Sequence, residues 1–243
     1  MNLDFDPDTR HLPQTEVCGL DEFDAEADRV RTELGWSLAA FAVIFDADLN
    51  WVLLTQLGDY TKERYGGNLW SLPGGAVHPT EYPSHGALRE LAEETHLRFD
   101  RHDLRPAGWF ARPTFKPHFR EQEGELLLLF SAIGNPDDPA LRPSPPETLQ
   151  STFVPYSLES FLTVPTHGVG EHPLQPLPRH WSWWCEAGRL ALENQLSEPA
   201  VWTYSSREDL RLSPWPVPPL MEPWPSKPAV IRSEEVPNHK HSS

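Results

Sequence analysis

Between Gly74 and Thr95 the chain concentrates acid: Glu81 stands alone, then Glu90, Glu93 and Glu94 follow beside Arg89. The spacings i, i+3 and i+4 place the last three on one face of a helix, adjacent or a turn apart. Carboxylates stacked in this way repel one another and destabilise the helix, and Arg89 cannot balance all three. Such a face either meets solvent or holds a divalent cation, and carboxylate oxygens are natural ligands for Mg²⁺ or Mn²⁺. Two further features favour the cation. Pro73, Gly74 and Gly75 read as a tight turn, and glycine lets a ligand approach the backbone closely. Glu81 comes within reach of Arg89 if its loop folds back over the helix, and an Arg–carboxylate pair there would fix the loop's shape.

These groups need a scaffold. The acidic segment reads as a helix from Ser84, taken as the N-cap after Pro83, to about Thr95, with Ala87, Leu88 and Leu91 as its apolar stripe. An earlier helix is expected over Asp21–Leu34, where Phe23, Ala27, Val30 and Leu34 recur near the helical period and Gly35 is the stop. Ser37–Phe45 reads as a buried strand and Trp51–Gln56 as its hairpin partner across a turn at Asp46, Asp48 and Asn50. Short strands are expected at Leu69–Leu72, Ala107–Arg112 and Phe153–Tyr156, with the clearest buried strand at Glu125–Ile133. Asn135–Pro146 is a Pro-rich loop, Ser157–Leu162 a helical turn, and Trp183–Leu196 a later helix. From Ser213 to Ser243 proline dominates, with Trp215 and Trp224 embedded, which favours an extended tail.

Composition narrows the function classes. The 243 residues, 38% of them hydrophobic, suffice for one large domain with extensions. A formal net charge of -16 and the lack of any Lys/Arg run argue against binding a nucleic-acid polymer. A small anionic substrate is compatible with this charge once a divalent cation neutralises the local acid. The two cysteines, Cys18 and Cys185, give neither a disulfide scaffold nor a zinc pattern. With no signal-like N-terminus and no apolar run near 18 residues, the expectation is a soluble cytoplasmic protein without a membrane span.

The acidic segment resembles the box of the Nudix hydrolases: Gly, five residues, Glu, seven residues, Arg-Glu, an aliphatic residue, any residue, Glu-Glu, any residue, Gly, aliphatic. Here those places are held by Gly75, Glu81, Arg89, Glu90, Leu91, Glu93, Glu94 and Leu97, with His96 where the pattern has glycine. The histidine implies an altered helix exit, not lost chemistry. The resemblance implies an α/β fold, an α/β/α sandwich with a mixed sheet, over residues 36–163. Residues 1–35 form an N-terminal segment with a helix, 164–212 a helical and loop extension, and 213–243 the Pro/Trp tail.

Family members usually cleave the pyrophosphate of a nucleoside diphosphate linked to another moiety, with water attacking phosphorus beside bound metal. The resemblance implies that Glu90 and Glu94 are the main metal ligands. Glu93 joins them or handles the water, the Gly75 carbonyl completes a metal shell, and Arg89 pairs with Glu81. Relatives often recruit an acid from outside the box; Glu121, Glu123 and Glu147 are the candidates, and Glu147 also reads as a helix-start residue after Pro145-Pro146. For the rest of the substrate, Trp109 or Phe110, Phe115, Arg112 and Lys116 are the candidate contacts; the basic groups also read as surface partners of Glu121, Glu123 and Glu125. Pro113, near the place where relatives that cut ADP-ribose carry a proline, tilts the expectation towards an ADP-ribose or nucleotide-sugar substrate. The alternative is a Nudix-fold ligand-sensing or interaction module. Relatives commonly dimerise, and the tail is suited to wrap a partner in a homodimer.

Overall fold

The computed structural model describes residues 19–58, 70–112, 124–156, 179–194 and 200–203. Helix α1 (Leu20–Leu34) leads into β1 (Ser37–Phe45), β2 (Trp51–Leu57), β3 (Trp70–Ser71) and β4 (Gly74–Ala76). Helix α2 (Pro83–Thr95), a 3₁₀ turn (Arg101–Asp103), β5 (Arg105–Arg112), β6 (Glu125–Ile133) and β7 (Thr148–Pro155) follow. Helix α3 (Arg179–Leu192) and β8 (Ala200–Thr203) end the described chain. The strands form one mixed sheet in the order β3-β2-β1-β6-β5-β8, with β4 on β1 and β7 on β2.

The spine of the sheet is the parallel pair β1–β6, in register from Ser37↔Glu125 to Phe45↔Ile133. A parallel pair is covered on both faces, so its strands read as unbroken apolar runs. Alternate residues divide between two cores. Ala39, Phe41, Val43 and Phe45 join Leu127 and Leu129 against Trp184, Cys185, Ala187 and Ala191 of α3. Leu38, Ala40, Ala42 and Ile44 join Leu126, Leu128 and Phe130 against Phe23, Ala27 and Val30 of α1 and Ala87 and Leu91 of α2. This is an α/β/α layering around a mixed sheet.

Several local readings are corrected. The β1–β2 hairpin touches at Phe45↔Val52 and then splays. Along its whole length β2 also pairs with β7, from Trp51↔Pro155 to Leu57↔Thr148, which makes β7 longer than expected. The opened gap admits residues 70–76: β3 lines β2, while Gly74–Ala76 pairs with β1 at Phe41, Ala40 and Ala39. The Pro73-Gly74-Gly75 stretch is thus partly strand, not simply a turn. Ser84 is not the N-cap of α2; Tyr82 is, with Pro83 at the first helical position, where its missing N–H costs nothing. The Ser84 N–H and Oγ instead donate to the buried Asp24 carboxylate of α1, which supplies the negative end that the first turn of α2 lacks. Helix α3 begins at Arg179 and gives way to a turn at Glu193, short of the expected Leu196. The turn expected at 157–162 and the Pro/Trp tail at 213–243 lie outside the described residues.

Among the described residues no helix is long and apolar enough to cross a membrane. Helix α1 is bound into the core by Phe23, fully buried and stacked on Trp109 at 3.8 Å between ring centroids. Phe23→Ala is expected to destabilise the protein by about 3–5 kcal/mol in chemical denaturation. A loss below about 1 kcal/mol would show that α1 is not part of the cooperative core.

Candidate functional site

The splayed hairpin sets the floor of the site. Gly74 sits at φ 152°, and a Cβ on it would come within 2.4 Å of the Ala40 carbonyl oxygen, so the strand enters the gap only because this residue is glycine. Its N–H donates to Glu94 Oε2 at 3.1 Å. A Cβ on Gly75 would lie 2.7 Å from the Glu90 carboxylate. The bare backbone of Gly75 and the Glu90 carboxylate therefore face each other without a side chain between them.

Arg89 organises the acids around this floor. Its Nε and Nη2 donate to the two oxygens of Glu81 at 3.0 and 3.1 Å, a bidentate pair that clamps the loop onto α2. Nη2 also donates to the Ala76 carbonyl at 2.9 Å. Nη1 is shared by Glu90 at 2.8 Å and Glu93 at 3.0 Å. Burial works to raise the Glu81 pKa, but Arg89 and the His78 N–H outweigh it and hold the carboxyl below its ordinary range. From α1, Arg31 Nη1 donates to the carbonyls of His78 and Glu81, at 2.9 and 3.3 Å, and so fixes the same loop from outside.

Glu94 has no cationic partner among the described residues. It is 4% exposed, and burial, reinforced by Glu90, Glu147 and Glu93, pushes its pKa well above the ordinary carboxylate value. Burial also raises Glu90, with Arg89 opposing and Glu93 and Glu147 adding to the rise. Glu147 is exposed on the turn before β7; its negative charge adds to the rise of both Glu90 and Glu94, and its neighbour Thr148 bonds the Glu94 carbonyl. A desolvated carboxylate beside other carboxylates stays ionised only when positive charge joins it. The donor set of Glu90, Glu93 and Glu94, together with the open Gly75 backbone, fits a hard divalent cation. A second group, Asp100, His102 and Asp103, has ligand atoms within 4.8 Å of one another and is also a candidate cation group. It is exposed, and Asp103 already accepts the Asp100 N–H at 2.9 Å to cap the 3₁₀ turn.

The remaining sequence candidates separate. Trp109 is a correction: it is fully buried under Phe23 in the α1–α2 core, with no surface to offer a substrate. Alternation along β5 points it inward there. Arg112 ends β5 opposite Glu125, and its side chain lies outside the described set. Phe115, Lys116, Glu121 and Glu123 also lie outside the described residues. Sequence reasoning missed Asp24, Arg31 and Arg101. Arg101 bonds Ser84 Oγ and Asp24 Oδ2, both at 3.0 Å, and these partners are too far apart in the chain to leave a local pattern.

The two raised carboxyls give a signed pH dependence. Above the ordinary carboxylate pKa the unfolded chain releases protons that folded Glu94 and Glu90 retain, so their contribution to stability falls as pH rises. The metal-free protein should therefore show a melting midpoint that declines, as pH rises above the ordinary carboxylate range, more steeply than that of Glu94→Gln. Parallel profiles for the two proteins would contradict the burial of Glu94 without a cationic partner.

Compared with curated proteins, the chain has no match. Among solved structures it is similar to the MutT protein of Methanosarcina mazei Go1, at 23% identity over 65% of this chain and 95% of that one, TM-score 0.43. It is also similar to the NUDIX domain of Shewanella oneidensis NrtR complexed with ADP ribose, at 21% identity over 65% and 88%, TM-score 0.43. A MutT/nudix family protein of Enterococcus faecalis is 22% identical over 49% of this chain and 44% of that one, TM-score 0.39. The family model for the NUDIX domain matches residues 35–166, more than half of the 243 residues, and the chain therefore belongs to the Nudix hydrolase family.

Proposed function

We propose that the protein hydrolyses the pyrophosphate linkage of a nucleoside diphosphate derivative, with ADP-ribose or a nucleotide sugar slightly favoured, in a reaction that depends on Mg²⁺ or Mn²⁺. The observation that carries this reading is the gathering of Glu90 and Glu93 on Arg89 beside Gly74 and Gly75, with Glu94 almost wholly withdrawn from water. Pro113 supports the ADP-ribose preference through the sequence resemblance alone. The protein is read as cytoplasmic, in keeping with its two cysteines and the free, buried thiol of Cys185.

In this reading Glu90 and Glu94, with Glu93 and the Gly75 carbonyl, hold the cation. When bound, the cation screens the phosphates and lowers the pKa of the attacking water. Glu93 or Glu147 takes the proton as the water oxygen bonds to phosphorus and the bridging P–O bond breaks. Glu81 and Arg89 keep loop and helix in one geometry, so that the acids meet the substrate already arranged. Arg112, Lys116 and Phe115 are proposed to meet the rest of the substrate. The catalytic unit is residues 36–163, flanked by the N-terminal helix and the C-terminal extension.

The test is a chromatographic screen for the two phosphomonoester or nucleotide products of cleavage, with Mg²⁺ and Mn²⁺, over ADP-ribose, other nucleoside diphosphate sugars, dinucleoside polyphosphates, NADH, coenzyme A and nucleoside di- and triphosphates. Glu94→Gln should keep the fold by circular dichroism and lose at least about 100-fold in turnover, or roughly 2.7 kcal/mol of transition-state stabilisation. Full turnover by the variant would refute the assignment. Tight binding of a panel member without turnover by the wild type would instead favour a ligand-sensing module.

A further inference from the structure

Helix α2 leaves its last turn through His96, at φ 62° and ψ 1°, a left-handed position that glycine occupies without strain. Histidine tolerates this position at a cost, and in return the chain gains an imidazole. That ring points to one place: its Nε2 lies 3.0 Å from Ser144 Oγ.

Ser144 opens the turn that carries Glu147. Its carbonyl accepts the N–H groups of Glu147 and Thr148, at 3.0 and 3.1 Å, and its own N–H donates to Thr148 Oγ1 at 2.8 Å. The same segment docks on the end of α2. Thr148 Oγ1 and Ser151 Oγ donate to the Glu94 carbonyl at 2.9 and 3.1 Å, and the Arg142 N–H donates to the Thr95 carbonyl at 3.1 Å. These are helix-end carbonyls, which have no partner within the helix. On the far side, the Gly58 N–H of the β2 end donates to the Glu147 carbonyl at 2.8 Å. The turn is therefore held between the end of β2 and the exit of α2, and His96–Ser144 is its side-chain link to the exit residue.

We propose that His96 is a positioning residue: by bonding Ser144 it latches the 144–147 turn to the end of α2 and so fixes where Glu147 stands relative to the acids of that helix. The inference rests on the proposed role of Glu147 in hydrolysis. It gives the one departure from the Nudix box a purpose, because the glycine of the pattern would fit the backbone with less strain but could not reach Ser144.

Full-length His96→Gly tests this with two readouts. In amide hydrogen exchange, without substrate or metal, Glu147 and Thr148 should exchange about fivefold faster, the factor that matches one lost hydrogen bond. The melting midpoint should not fall. In turnover on the substrate that the screen identifies, the variant should lose a similar factor in the wild-type background and nothing further in a Glu147→Gln background. Ser144→Ala should reproduce both effects and add nothing to His96→Gly. Unchanged exchange would overturn the latch. An equal turnover loss in both backgrounds would show that His96 acts other than through Glu147, and would overturn the positioning role. If Glu147→Gln alone keeps full turnover, the assigned role of Glu147 fails, and exchange still decides whether the latch exists.

Discussion

A carboxylate kept from water is the constraint around which the molecule is arranged. Glu94 projects from α2 towards the strand that fills the gap between β1 and β2, where it accepts the N–H of Gly74. Burial of a carboxylate costs several kcal/mol unless charge or hydrogen bonds offset it. Here the neighbouring acids add to that cost. The splayed hairpin, the glycine pair and the clamped loop hold this group in place, as the proposed cation site requires.

The helix that bears the acids is secured at both ends by parts of the chain distant in sequence. At its start, Asp24 of α1 accepts from Ser84 and Arg101, and Arg31 of α1 ties down the loop that holds Glu81. At its exit, residues 142–151 satisfy the last carbonyls and bring Glu147 alongside. A helix fixed at one end only could rock about its axis and move the carboxylates relative to the floor. Fixing both ends restricts this motion before any substrate arrives, which is how a preorganised site lowers its barrier.

Much of this was legible in the residues because the signals were local. Phe23, Ala27 and Val30 announce α1 by their period, and β1 and β6 announce themselves by apolar runs that only a doubly covered strand would carry. The acid spacing on α2, with Gly75, Glu81 and Arg89, marked the family and the candidate site. What stayed hidden depends on tertiary partners. Nothing within Trp51–Leu57 says that it pairs with β7 more than with β1, since both are apolar strands at suitable distances. Ser84 looks like an N-cap until Asp24 arrives from 60 residues away. Trp109 looked like a base platform because aromatic residues serve cores and pockets equally well, and only Phe23 beneath it decides the matter.

The central claim is that the box acids around buried Glu94, not the exposed Asp100, His102 and Asp103 group, hold the divalent cation. Its most direct test is a calorimetric Mn²⁺ titration of the wild type, Glu94→Gln and the double variant Asp100→Asn/Asp103→Asn. The account predicts that the double variant binds as the wild type does. It predicts that Glu94→Gln binds at least about tenfold more weakly, since even outer partners of a metal ligand are worth that much. Wild-type affinity in Glu94→Gln, with loss in the double variant, would contradict it.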